Sequence, residues 1–280
     1  MKKLLSLSAI LTAVSLSSTV LAATDLPLNT GWNHGPNAVY PNTGAVGNLD
    51  QYWINIASYP PLGPPVKPAA YYGGAANPTP SGWIAALAGQ SHWIGPNPSS
   101  SSSSSTNPNN PGYSIFRKCF CLQNDANGVS MNMSVRADDN VQVWFNTVTN
   151  NLIGPVAGNY GSSSPAHVRN NVVNGFHPGK NCLYVLVEDT LGGSVGFNLV
   201  GNVHANNGMM DEAHYGVDQT ISPCACPAQP HIGGAAAQSA GARGAVAIGG
   251  NVDNEQATIQ AIVKIAEERL AARKLQAPKK

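Results

Sequence analysis

Apolar and polar side chains alternate with a period of two through much of residues 129–203. Val-Ser-Met-Asn-Met-Ser-Val at 129–135 follows this pattern, and so does Val-Gln-Val-Trp-Phe at 141–145, where Trp144 falls on the opposite side from Val141, Val143 and Phe145. Such alternation turns one side of a strand into a core and the other toward water or another layer. Leu-Tyr-Val-Leu-Val at 183–187 is apolar on both sides, as expected of a strand covered on two faces. Several such runs, separated by Gly, Asn, Asp and Pro, predict an all-β fold built as an antiparallel β-sandwich.

The flanks have different patterns. Residues 30–96 mix aromatics (Trp32, Trp53, Tyr71, Tyr72, Trp83, Trp93) with prolines at 60, 61, 64, 65, 68, 78 and 80, which predicts short edge strands joined by loops. Consecutive serines at 99–105 mark a Ser/Pro-rich loop at 97–112. Lys2 and Lys3, the mostly apolar run that follows, and Ala22 have the form of a signal peptide at 1–22. Serines and threonines interrupt that run before it reaches the ~18 consecutive apolar residues of a membrane span. The expected organisation is therefore a leader at 1–22, a sandwich at 23–230, a flexible Gly/Ala-rich linker at 231–251 and a short C-terminal α-helix at 252–280. The mature chain is expected to be secreted, into the periplasm or beyond it, without a membrane span.

Within the last segment, Asp253 is placed as an N-cap, with Gln256 three residues on completing a capping box. Ile259, Ile262, Val263, Ala266 and Leu270 recur at helical spacing. That stripe supports two readings. The helix docks on its own domain, or it associates with another copy of the chain through these five residues.

Charge narrows the partners. Charged residues make up 10% of the chain and the formal net charge is +1, without the concentrated basic face that phosphate backbones require, so nucleic acid is not an expected partner. The five cysteines, Cys119, Cys121, Cys182, Cys224 and Cys226, are expected to form disulfides in an oxidising compartment, with one left to pair between chains or with a partner. Their Cys-x-Cys spacing does not match that of zinc knuckles. No His-Glu-x-x-His pattern occurs, and Gly192, Ser194 and Gly196 match a nucleophile-elbow pattern without a helix to follow. The protein is accordingly expected not to be an enzyme and to require no cofactor. Asp138 and Asp139 are either turn residues or oxygen ligands for a structural Ca²⁺. Aromatic faces combined with abundant amides and hydroxyls suit sugar binding better than any catalytic arrangement in the sequence.

The stretch at 134–146, Ser-Val-Arg-Ala-Asp-Asp-Asn-Val-Gln-Val-Trp-Phe-Asn, resembles the galactose-binding-like, carbohydrate-binding-module-like jelly-roll domains of secreted bacterial proteins. The Gly-Lys-Asn turn and buried strand at 179–189 resemble a later strand of that fold, and 196–203 its closing strand. The resemblance implies a jelly roll that often binds carbohydrate and often holds a structural Ca²⁺. The ligand-contacting candidates on these stretches are Trp144, Asn146 and Arg136, and the Ca²⁺ candidates are Asp138 and Asp139. The expected function is glycan recognition or adhesion at a cell surface. The alternative is a structural subunit of an extracellular assembly, joined by the C-terminal helix or an odd cysteine.

Overall fold

The computed structural model of the chain describes residues 25–31, 50, 53–59, 61, 69–71, 91–96, 112–122, 126–158, 165–190, 195–206, 209–211 and 250–276. The expected leader, the serine-rich run, most of the 231–251 linker, Cys224, Cys226, Trp32, Tyr72 and Trp83 lie outside them. Among the described residues the strands are β1 (Asp25–Pro27), β2 (Ile54–Tyr59), β3 (Ala69–Tyr71), β4 (Trp93–Gly95), β5 (Gly112–Leu122) and β6 (Ser130–Asp138). They continue as β7 (Asn140–Phe145), β8 (Thr147–Ala157), β9 (His167–Val172), β10 (Gly179–Asp189), β11 (Gly196–His204) and β12 (Met209–Asp211). One helix, α1 (Gly250–Gln276), follows.

All strand pairings are antiparallel. Sheet I has the order β3-β4-β11-β6-β9, with β1 also on β11, and sheet II has the order β12-β5-β10-β7-β8, with β2 also on β5. The two sheets face each other as an all-β sandwich. The period-two pattern fixes which side faces inward. Met131, Met133, Val135 and Ala137 of β6 are buried while Ser130, Asn132, Ser134 and Arg136 are only half-buried. Val141, Val143 and Phe145 of β7 join the same core. Aromatic rings fill its centre. Trp53 meets Phe197 edge-on at 5.1 Å, Phe116 lies 4.8 Å from Phe197, and Phe145 lies 4.8 Å from Phe176.

Polar groups fasten the N-terminal segment to β11. The Leu28 N–H donates to the Gly201 carbonyl at 2.9 Å, and the Thr30 N–H to the Leu199 carbonyl at 3.0 Å. Thr30 Oγ1 in turn accepts from the Leu199 N–H at 3.0 Å. Buried Asp50 accepts from the Gly31 N–H at 2.5 Å and the Trp53 N–H at 2.9 Å, so its carboxylate is satisfied by backbone.

In the middle of sheet II, β10 lies between β5 and β7. Leu183, Val185 and Val187 enter the sandwich core, while Tyr184 and Leu186 belong to a second apolar cluster that includes α1 residues. The two-faced apolarity of 183–187 thus reflects a third layer: the helix covers the outer face of sheet II. α1 begins at Gly250, so Asp253 falls inside the helix, and the N-cap expected at that position is corrected accordingly.

Candidate functional site

Two surfaces are set apart by their chemistry: the outer face of sheet II, closed by α1, and the outer face of sheet I. On sheet II, Ile262, Ala266 and Leu270 are 0–5% exposed and lie in one cluster with Tyr113, Ile115, Trp144, Tyr184, Leu186 and the Cys119–Cys182 pair. Ile259 and Val263 flank the contact, half-buried. Burial of side chains as large as Ile262 and Leu270 contributes about 1.5–3 kcal/mol each. The stripe offered for self-association therefore sits on its own chain, and the docking reading is the one this structure has.

Charged groups hold both ends of the helix. Near its N-terminus, Glu255 pairs with Arg117 of β5 and with Lys180 of β10, the latter at 3.0 Å. Near its C-terminus, Arg273 and Arg269 reach the buried carboxylate of Glu188 at 2.9 and 3.3 Å, and Arg269 also donates to Gln142 Oε1 at 2.5 Å. An acid at the start and bases at the end also match the helix dipole. Thr258 Oγ1 donates to the Asn146 carbonyl at 3.2 Å. Lys274 sits 4.8 Å from the centre of the Tyr59 ring, which stacks on Tyr113. Burial, with Glu267 and Tyr59 nearby, pushes the Tyr113 hydroxyl up to about 12.

The ligand residues expected from sequence do not converge. Trp144 is 1% exposed beneath α1, so its ring offers no open face to a sugar, and the expectation of a glycan-stacking Trp144 is corrected. Asn146 is committed to structure. With φ at +61°, which asparagine tolerates better than most residues, its amide donates to the Gly175 carbonyl and to Asn181 Oδ1. Its own oxygen accepts from the Cys182 N–H at 2.7 Å. Gly175 is needed in that loop, because φ is +87° and a Cβ would lie 2.4 Å from Asn150 Nδ2. Arg136 lies on the other sheet, on the outer side of β6 opposite Asn198. Burial lowers its guanidinium pKa, and its Nε has no hydrogen-bond partner among the described residues.

Asp139 closes a turn. Its Oδ2 accepts from the Thr190 N–H at 2.8 Å and the Thr190 hydroxyl at 2.6 Å. Asp138 is buried at the end of β6. Cys119 and Cys182 are directly opposed across β5 and β10 and are disulfide-bonded, and Cys121 is disulfide-bonded as well. Among the described residues, the one cluster of three metal-ligand types is Cys119, Cys182 and Glu255. Its two sulfurs are joined to each other, so they are not thiolates, and the cluster offers a metal one carboxylate already paired with cations.

Sequence reasoning missed the charged latch of Glu188, Gln142, Arg117, Lys180, Glu255, Arg269 and Arg273. The available signal was a charge-bearing strand, β10, whose neighbouring residues are apolar on both faces.

The outer face of sheet I has a different chemistry. Ser130, Asn132, Ser134 and Arg136 of β6 stand opposite His204, Asn202, Val200 and Asn198 of β11. Asp25 Oδ1 lies 3.1 Å from both Asn202 Nδ2 and His204 Nδ1, and Asn132 Oδ1 accepts from the Asn171 N–H at 2.8 Å. Amides, hydroxyls, one guanidinium and one imidazole thus line these two adjacent strands, interrupted by Val200 opposite Ser134, with Asn198 itself buried. Comparisons with models of protein families, with curated proteins and with solved structures found no match.

Proposed function

We propose that the chain is a secreted, non-enzymatic binding module of the jelly-roll kind that recognises carbohydrate, or a glycan-bearing cell surface, through the outer face of sheet I. The observation that carries this reading is the ladder of Asn132, Ser134, Arg136 and Asn202 on β6 and β11. Sugar hydroxyls both donate and accept, and a row of amide and hydroxyl groups at strand spacing provides both roles. The Cys119–Cys182 bond and the leader-like residues 1–22 support an oxidising, exported location.

The test is a glycan array probed with the folded mature chain, followed by Arg136→Gln and Asn132→Ala on sheet I and Lys264→Ala on the exposed side of α1. The expected result is selective binding lost in the first two variants and kept in the third. EDTA in a parallel array reads out any Ca²⁺ held at Asp138 and Asp139. A folded chain that binds nothing, or binding that survives both sheet I changes, overturns the reading.

A further inference from the structure

An asparagine followed by glycine carries a latent reaction. The side-chain carbonyl carbon of the asparagine is within reach of the next backbone nitrogen, and glycine has no Cβ to hinder the approach. The chain has three such pairs, Asn127-Gly128, Asn174-Gly175 and Asn207-Gly208, of which the first two lie among the described residues. The fold treats these two differently. Asn127, just before β6, is held on both sides of the reacting centre. Its backbone carbonyl accepts from the Asn206 N–H at 2.9 Å, and its Oδ1 accepts from Asn206 Nδ2 at 3.1 Å. One bond fixes the peptide unit that contains the Gly128 nitrogen, and the other fixes the side-chain carbonyl which that nitrogen must reach. Asn174 lies in the turn between β9 and β10. It is exposed, and neither its side-chain amide nor the Gly175 N–H has a hydrogen-bond partner among the described residues.

We infer that Asn174 is a site of spontaneous covalent modification, deamidation through a cyclic imide with Gly175, and that Asn206 protects Asn127 from the same reaction. The Gly175 nitrogen attacks Asn174 Cγ and gives its proton to solvent base. The bond from Cγ to the side-chain nitrogen breaks, and that nitrogen takes a proton from water and leaves as ammonia. Water then opens the imide. Hydrolysis at Cγ restores the ordinary main chain with aspartate at position 174. Hydrolysis at the main-chain carbonyl of the same residue leaves Gly175 joined through Cγ, an isoaspartate. Either product carries a carboxylate where a neutral amide stood. The isoaspartate also lengthens the main chain by one carbon, next to a carbonyl that the fold uses. The Gly175 carbonyl accepts from Asn146 Nδ2 at 2.8 Å, and the Asn146 carbonyl accepts from Thr258 Oγ1 of α1 at 3.2 Å. Reaction at Asn174 therefore loosens a side chain on whose residue α1 rests. At Asn127 two hydrogen bonds must open before the attack, which slows the reaction by roughly tenfold or more.

The test ages the folded chain in mildly alkaline buffer at body temperature. Peptide mapping by mass spectrometry follows conversion of amide to acid at each asparagine, and an isoaspartyl methyltransferase counts the isoaspartate formed. The same chain, unfolded in urea with its disulfides reduced, gives the rates without the fold, and incubation continues until both pairs have reacted there. Relative to those rates, Asn127 in the folded chain should be slowed by roughly tenfold or more, and Asn174 by much less. Aged chain should also be cut faster within α1 by added protease than fresh chain, whereas an Asn174→Gln variant aged in parallel should keep the resistance of fresh material. Folding that slows Asn174 as much as Asn127, or that leaves Asn127 as fast as in urea, overturns the proposal. Equal loss of protease resistance in parent and Asn174→Gln overturns the link to the helix. None of these outcomes depends on glycan binding.

Discussion

Arg273, in the last turn of α1, reaches the Glu188 carboxylate of β10 at 2.9 Å, and that carboxylate is almost wholly buried between helix and sheet. Removal of one member of a fully buried ion pair costs about 3–5 kcal/mol, because the other charge is left without compensation. Here Arg269 and Arg273 each keep about a quarter of their side chains in water, which lowers the cost. Glu188→Ala is therefore expected to destabilise the protein by about 2–3 kcal/mol. Arg273→Ala alone should cost less, since Arg269 still reaches Glu188. Urea unfolding followed by tryptophan fluorescence checks both. A Glu188→Ala midpoint equal to that of the parent would mean the latch is not formed in solution.

The apolar half of the same contact makes a second prediction. Ile262 is wholly buried against sheet II, whereas Leu275, in the final turn, is 87% exposed. Ile262→Ala should cost about 2–4 kcal/mol by lost burial and the cavity left behind, and Leu275→Ala should stay within about 0.5 kcal/mol of the parent. Limited proteolysis adds a local readout, with cleavage within α1 faster in the Ile262 variant. Equal effects at the two positions would contradict the seating of the helix.

The alternating runs at 129–135 and 141–145 made β6 and β7 legible, because one buried face leaves a simple period. The apolar run at 183–187 was legible as a buried strand, but its second cover was not. A helix and a sheet on that side demand the same residues from β10, and only the separate stripe at 259–270 hinted at the partner. The candidate site was less legible for a related reason. Trp144 and Asn146 stand close to Arg136 in sequence, yet the turn at Asp138 and Asp139 carries the chain from sheet I to sheet II, so they look outward from opposite sides of the sandwich. Local pattern reports which side of a strand a residue is on, not which sheet the strand joins. The charged latch was hidden because Glu188 and Arg273 are far apart in sequence and ordinary in composition.

The Cys119–Cys182 bond joins directly opposed residues of β5 and β10 and closes a 63-residue separation. Loop-closure entropy for that length corresponds to about 4 kcal/mol, within the usual 2–5 kcal/mol lost on removing such a bond. The paired replacement Cys119→Ala with Cys182→Ala should lower the melting temperature by roughly 10 °C for a domain of this size. Both sulfurs lie under α1, so reduction of the native protein should also be slow and should accelerate in Ile262→Ala. Scanning calorimetry measures the first effect and timed thiol labelling the second. A melting temperature unchanged by the double replacement would show that the bond contributes nothing to stability.

His92 precedes β4, and its backbone pairs with Thr30, with the His92 N–H donating to the Thr30 carbonyl at 2.8 Å and Thr30 Oγ1 donating to the His92 carbonyl. Burial lowers the pKa of its imidazole below the usual 6.5. The sign of the linkage follows. Below pH 6.5 the unfolded chain takes up a proton that the folded chain resists, so the unfolded state is favoured as pH drops. The His92 contribution is therefore intact above that value, is lost as pH falls toward the depressed folded pKa, and changes no further beneath it. The comparison is made between parent and His92→Gln, in urea at about pH 7.5 and about pH 5, so that contributions from the rest of the chain cancel. The parent should lose more stability than the variant between the two conditions, because the variant has no imidazole to protonate at this position. Identical losses would mean that His92 titrates in the folded protein as it does in water.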